Sequence, residues 1–253
     1  MAISGTYAFN PEIGDIVEEA FERAGLELRS GYDLRSARRS LNFLTLEWQN
    51  RGINLWTIDE LFIDSAADGT SLAPNNYLLK DTATYRLATG TISLLDIVLR
   101  TNDGNANTQT DFQLNRISEP TFATIPNKLS SSRPLQFYLD RREILGAGAA
   151  GADQYDTVTF WPVPDNSTKY KVKYWRMKRI SDTGDNAGST MQVPARFLPA
   201  LVSGLAYHIA CKRPEVEGRI QLLKQQYEEV FREAAEEDRV KASVRFVPHI
   251  PVY

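Results

Sequence analysis

Apolar residues recur at helical spacing over the first fifty positions, and then the rhythm changes. Ile13, Ile16, Val17, Ala20, Phe21 and Ala24 fall on one face of a helix. Asn10 reads as its N-cap, Pro11 as its first helical residue and Gly25 as its stop. Leu34, Ala37, Leu41, Leu44 and Trp48 advance by three or four residues. They predict a second helix from Asp33 as cap to about Asn50, ended by Gly52. From Leu55 to Ser189 the runs are short and β-branched or aromatic: Leu55–Ile63, Thr91–Arg100, Leu135–Leu139, Tyr155–Trp161 and Lys169–Arg176. Turn-forming clusters such as Asp68-Gly69, Asn102-Asp103-Gly104 and Pro164-Asp165-Asn166 separate them, which predicts antiparallel strands joined by polar loops. Tyr155 to Arg176 reads as a hairpin. Lys169, Lys171 and Lys173 lie on one of its faces, and Tyr170, Val172 and Tyr174 on the other.

Helical periodicity returns after Val193-Pro194. Phe197, Leu198, Leu201, Val202, Leu205 and Ile209 form a stripe in which Pro199 kinks or restarts the first turn. Gly204, Ala206 and Ala210 leave room for another helix to approach closely. Pro214 opens a fourth helix carrying Val216, Ile220, Leu223, Tyr227, Val230, Phe231 and Ala234. Beyond Asp238 the acidic residues stop. Residues 239–253 carry Arg239, Lys241 and Arg245 with Val244, Phe246, Val247, Ile250, Val252 and Tyr253, punctuated by Pro248 and Pro251. Two prolines exclude a central strand or a helix, so this apolar tail needs a surface to dock on. The expected fold class is α+β: a four-helix bundle core interrupted by a large, mostly antiparallel β insert, with an extended C-terminal tail. Residues 1–54 and 192–238 are the halves of the core, 55–191 the insert and 239–253 the docking tail.

Composition narrows the function classes. Lys plus Arg total 29 against 32 Asp plus Glu, a net charge of −3, which argues against a dedicated duplex-DNA binder. One cysteine excludes an intramolecular disulfide framework and any multi-cysteine metal site, and two histidines leave little for His-based chemistry. Neither a basic, apolar leader nor an 18-residue apolar run is present, so a secreted or membrane-spanning chain is not expected. Charge is instead segregated. The first helix holds five acidic residues and one basic, residues 29–51 hold five basic and two acidic, and Glu215–Asp238 holds eight acidic and three basic. Patches of opposite sign suit a self-complementary head-to-tail oligomer. Arg35, Arg38 and Arg39 are the expected positive side of that interface, and Glu228, Glu229 and Glu236 the negative side.

Motifs that would carry chemistry are weak. Gly146-Ala147-Gly148-Ala149-Ala150-Gly151 spells a dinucleotide fingerprint, but a strand-like run follows it where a helix is required. Gly146, Gly148 and Gly151 are therefore expected in a loop at a subunit or partner contact. His208 and Cys211 share a helix face, yet His208 reads as a hydrogen-bonded core or interface residue and Cys211 as a small buried one. Glu18-Glu19, Glu228-Glu229 and Glu236-Glu237 read as surface charges rather than acid/base pairs. No catalytic, cofactor-binding or metal-ligating residue is assigned. Two other readings stay open. One is a carbohydrate- or cell-wall-acting enzyme, for which Asp96, Asp111, Asp140 and Glu143 are the insert's candidate carboxylates. The other is a nucleic-acid-binding module on Lys169–Arg179, where Tyr170, Tyr174 and Trp175 interleave with bases.

Ala37-Arg38-Arg39, Leu41-Asn42, Gln49-Asn50-Arg51-Gly52 and Trp56 resemble the second helix of the head-to-tail adaptors of short-tailed bacteriophages, the tail tubular protein A family. Val193-Pro194, Phe197 and Pro214-Glu215-Val216-Glu217-Gly218 resemble that family's later helix pair and its junction. The resemblance covers residues 10–56 and 193–238. It implies a non-enzymatic subunit of a twelvefold ring, assembled in the host cytoplasm and residing in the virion at the head–tail interface. Such a ring binds the portal protein, presents a platform to the tail nozzle, and lets genomic DNA pass without sequence-specific binding. It further implies that Val244, Phe246, Val247, Pro248, Ile250, Pro251 and Tyr253 reach the portal.

Overall fold

The structure is a computed structural model and describes residues 9–52, 55–72, 75–145, 154–183 and 190–238. The chain divides into two compact units. One comprises Met1–Trp56 with Ile180–Tyr253, the other Thr57–Arg179. The class is mixed α+β, with five α-helices and two sheets among the described residues.

In the first unit α1 (Ile13–Ala24), α2 (Gly31–Arg51), α4 (Leu198–Ala210) and α5 (Ile220–Glu237) contribute to one apolar cluster. The stripe from Ile13 to Ala24 is buried throughout, as its spacing predicts. Helix starts differ from expectation because local side-chain chemistry overrides position. Glu12, not Asn10, caps α1. Its carboxylate accepts from the Asp15 backbone while the Asp15 side chain accepts from the Glu12 N–H (3.2 Å). Ser30, not Asp33, caps α2: its Oγ accepts the Asp33 N–H (3.3 Å), and its hydroxyl donates back to Asp33 Oδ2 (3.0 Å). Pro199 sits in the first turn of α4, where a missing N–H costs nothing. Pro214 opens a 3₁₀ turn to Arg219 rather than an α-helix, with Val216 outside helical φ/ψ, so α5 begins only at Ile220.

Two glycines are set by geometry. Gly204 lets α4 approach α2 and α5, since a Cβ there would lie 2.9 Å from both Leu44 and Tyr227 side chains. Gly25 ends α1 at φ +78°, with its N–H on the Glu22 carbonyl and Leu26 N–H on that of Phe21 (2.9 Å each). A Cβ at Gly25 would also collide with the Arg219 guanidinium. Gly25→Ala is therefore expected to cost about 1–2 kcal/mol in urea unfolding, whereas Gly218→Ala, which meets open space, is the neutral comparison.

The second unit holds β1 (Ile58–Phe62), β2 (Thr84–Arg86), β3 (Thr91–Thr101), β4 (Thr110–Gln113), β5 (Asn115–Ile117), the short α3 (Glu119–Ala123), β6 (Gln136–Leu145), β7 (Gln154–Trp161) and β8 (Tyr170–Lys178). One sheet runs β1-β8-β3-β4 and is antiparallel throughout. The other runs β2-β7-β6-β5 and is antiparallel except for the β5–β6 pair. Their inner faces share one cluster, with Ile97, Leu99, Val172 and Tyr174 from the first and Tyr85, Phe137, Val158 and Phe160 from the second. The expected Tyr155–Arg176 hairpin does not form, because β7 pairs β6 and β2 while β8 pairs β1 and β3. Pro162 and Pro164 supply no ladder donors, and Val163 bonds Ser130 and Ser132 instead, so the chain leaves one sheet and enters the other. The alternation within β8 does hold: Tyr170, Val172 and Tyr174 are buried and Lys171, Lys173 and Trp175 face outward, half-exposed.

Candidate assembly surfaces and their supporting cluster

The densest polar cluster of the helical unit lies where α2, α4 and α5 meet. One turn of α2 presents Glu47, Trp48 and Arg51; α4 presents His208; α5 presents Tyr227 and Glu228. Trp48 is buried and donates its Nε1–H to the Tyr227 hydroxyl (2.9 Å), which donates onward to Glu47 Oε1 (3.3 Å). Arg51 forks onto both Glu228 oxygens (2.7 Å each) and reaches Glu47, while its guanidinium lies over the Tyr227 and Phe231 rings at 5.0 and 4.8 Å. The bond from Arg51 holds the Glu228 carboxyl below the usual carboxylate range, and the same bond raises the guanidinium. Burial pushes the Tyr227 hydroxyl up, so it stays protonated as a donor. His208 Nε2 lies 3.3 Å from Glu47 Oε2.

A carboxylate–imidazole pair of this kind needs a nucleophile to be catalytic. Cys211, expected to be buried, is instead exposed, because α4 ends at Ala210 and Cys211 caps it. Among the described residues no group of three or more His, Cys, Asp and Glu could hold a metal ion. The cluster is a stitch between helices distant in sequence, with a cation at its centre.

Outside this stitch, the expected interface residues divide. Arg35, Arg39, Glu229 and Glu236 are exposed, Arg38 is half-buried, and Glu228 is exposed but engaged by Arg51. The α2 surface holds two further residues that sequence reasoning passed over: Tyr32 and Phe43, exposed at 66% and 59%. Tyr32, Arg35, Arg39 and Phe43 advance by three, four and four, one helix face of aromatic and arginine residues. That spacing was the available signal, masked because the buried stripe of the same helix dominates the pattern. A separate groove of about 510 Å³ runs between α1 and α4, lined by Phe9, Ile16, Leu198, Pro199 and Val202.

In the β unit two members of the basic row are paired from within. Lys171 pairs with Asp103 (2.5 Å), Lys173 with Glu60 (2.6 Å), and Arg100 forks onto Asp111 (2.9 Å twice). Lys171 and Lys173 also lie over Tyr77 and Trp175, at 4.8 and 5.2 Å. Hydrogen bonds from Lys171 and Arg100 hold Asp103 and Asp111 ionised below the usual carboxylate range. Cations already paired in this way release few counterions on phosphate, which weakens the nucleic-acid reading at Lys171 and Lys173. The insert's candidate carboxylates have separate surroundings: Asp96 accepts from Gln113 (3.1 Å), Asp111 serves Arg100, and Asp140 lines a cleft with Glu119, Arg116 and Arg141. The side chain of Glu143, the loop of Gly146, Gly148 and Gly151, and the tail with Val244, Phe246, Val247, Pro248, Ile250, Pro251 and Tyr253 lie outside the described residues.

The family model of the SU10 adaptor protein matches residues 21–247, spanning both units. The chain belongs to the SU10 adaptor protein family. Membership bears out the resemblance to phage head-to-tail adaptors and places the protein among structural adaptor proteins of bacteriophage tails. No curated protein matches the chain. Among the described residues no helix of the adaptor is long and apolar enough to cross a membrane.

Proposed function

We propose that the adaptor forms a ring, twelvefold by family resemblance, that joins the portal to the tail nozzle and extends the DNA channel in the virion. In this reading the helical unit is the four-helix bundle core of each subunit, built from residues 1–54 and 192–238. Residues 55–191 form the insert, and residues 239–253 reach the portal through Val244, Phe246, Val247, Pro248, Ile250, Pro251 and Tyr253. The loop of Gly146, Gly148 and Gly151 meets the nozzle or the next subunit. Assembly takes place in the host cytoplasm. DNA passes without sequence-specific contacts, and neither membrane nor cofactor is involved.

The observation that carries the reading is the exposed α2 face of Tyr32, Arg35, Arg39 and Phe43, set against exposed acids on the other helices. Those acids are Glu18 and Glu22 on α1 and Glu229, Glu233 and Glu236 on α5. A neighbouring copy supplies the complementary sign, and repetition around a ring multiplies each weak contact through effective concentration. Glu228 acts indirectly, by fixing Arg51 and the packing of α5. Mass measurement and negative-stain imaging of the protein mixed with its portal should yield closed rings stacked on portal. A protein that stays monomeric with portal present, at micromolar concentration and low salt, overturns the proposal.

A further inference from the structure

The groove between α1 and α4 is apolar at its floor and acidic along one rim. Phe9, Ile16, Leu198, Pro199 and Val202 make the apolar part, and Asp15, Glu19 and Arg23 line the edge. Glu18 and Glu22 on α1, and its cap Glu12, are exposed as well. The helix's one base, Arg23, is already engaged by Glu19 (2.7 Å) and Ser203 (3.1 Å). A segment that fills this groove should therefore be apolar, extended and basic.

Residues 239–253 have that composition: Arg239, Lys241 and Arg245, no acid, and Val244, Phe246, Val247, Ile250, Val252 and Tyr253. They also start beside the groove. α5 is capped by Asp238, which is buried and ion-paired with Arg196. Arg196 stands between Ala195 and Leu198, both of which line the groove. Phe246 follows Asp238 by eight residues, roughly 25 Å of extended chain, while the stretch Ala195–Val202 rises only about 10 Å. We infer that the tail of each adaptor subunit docks into the α1/α4 groove of its own chain before assembly, its bases facing the α1 carboxylates. Tethering does much of the work. At an effective concentration of about 1 mM, an affinity near 0.1 mM leaves the tail docked about nine parts in ten. The inference stands independently of what the tail later binds.

The test uses the full chain without portal. Changing Arg239→Glu, Lys241→Glu, Arg245→Glu, Phe246→Ser and Val247→Ser leaves the described core untouched. It should speed hydrogen exchange in the α1 and α4 peptides facing the groove by about tenfold. Unchanged exchange overturns the inference, and so does protection that is lost on removing residues 1–8 instead. Glu19→Cys with Phe246→Cys, in a Cys211→Ser background, should oxidise to a disulfide within one chain. It should do so at least tenfold faster than the pair of Leu129→Cys and Phe246→Cys. A dimer-mass product as the main outcome would assign the groove to a second copy's tail and overturn docking within the chain.

Discussion

Replacing Trp48 with alanine is expected to cost the helical unit about 3–5 kcal/mol, the usual range for emptying a buried tryptophan site. Three effects converge. Trp48 is one of the largest fully buried side chains, and its ring meets Phe197 and Phe231 at centroid distances of 5.7 and 5.5 Å. Its removal opens space between α2, α4 and α5, where the close contact across Gly204 shows how little slack the packing holds. It also withdraws the donor to the Tyr227 hydroxyl, the group that steadies Glu47 beside Arg51. Domains are stable by only about 5–15 kcal/mol, so the variant sits near the folding threshold. Tyr227→Phe separates the contributions: it keeps the ring and removes only the hydroxyl bonds, for an expected loss of about 1 kcal/mol. Urea unfolding followed by far-ultraviolet circular dichroism measures both. Hydrogen exchange in β7 and β8, which belong to the other unit, should stay at the wild-type rate. A Trp48→Ala protein as stable as wild type would show that the cluster does not hold these helices together.

Periodicity made α1, α2, α4 and α5 legible because each buries a stripe of about three turns or more, long enough for a 3.6-residue rhythm to show, whereas the five-residue α3 buries none of its residues. Their starts were less so. Ser30 and Glu12 win the caps through reciprocal hydrogen bonds that depend on residues three positions on, and the stripe itself carries no trace of that competition. Strands β2, β4 and β5 have three or four residues each, too few for a period of two to stand out. The hairpin expectation failed for a different reason. Alternation along β8 correctly gives which side chains face inward, but pairing is decided by partners far along the chain, here β1 and β3. The candidate site divides in the same way. The charges on Arg35, Arg39, Glu229 and Glu236 could be placed on helix surfaces from spacing alone. That Glu228 belongs to Arg51, and Lys171 to Asp103, depends on contacts between residues 177 and 68 apart in sequence. Such pairing gives the exposed Glu228 a partner within its own chain, and gives Lys171 and Lys173 of the basic run theirs.

Deleting residues 240–253 is expected to lower the affinity of the adaptor for its portal more than 100-fold while leaving a folded protein. Folding should survive because the helical unit closes before the deletion begins. Leu223, Tyr227 and Ala234 supply the buried stripe of α5, and Asp238 both caps the helix and pairs with Arg196. The deleted part removes eight apolar residues, three of them aromatic or isoleucine (Phe246, Ile250 and Tyr253), with two of the tail's three bases. Burying a side chain of that size on a partner contributes about 1.5–3 kcal/mol, so losing two such anchors already exceeds a hundredfold. The stability cost should stay near 1.4 kcal/mol, the worth of a tail docked ten to one on its own groove. A fall of that size in unfolding free energy with unchanged helical circular dichroism would separate lost recognition from lost folding. Binding to immobilised portal is the deciding measurement, because a truncated adaptor that holds portal as tightly as the full chain moves the portal contact to the helical faces. The five-residue tail variant, which keeps the length of the tail but not its chemistry, should match the deletion on portal. If it bound normally while the deletion did not, backbone pairing rather than Phe246, Val247 and the tail's bases would carry the contact.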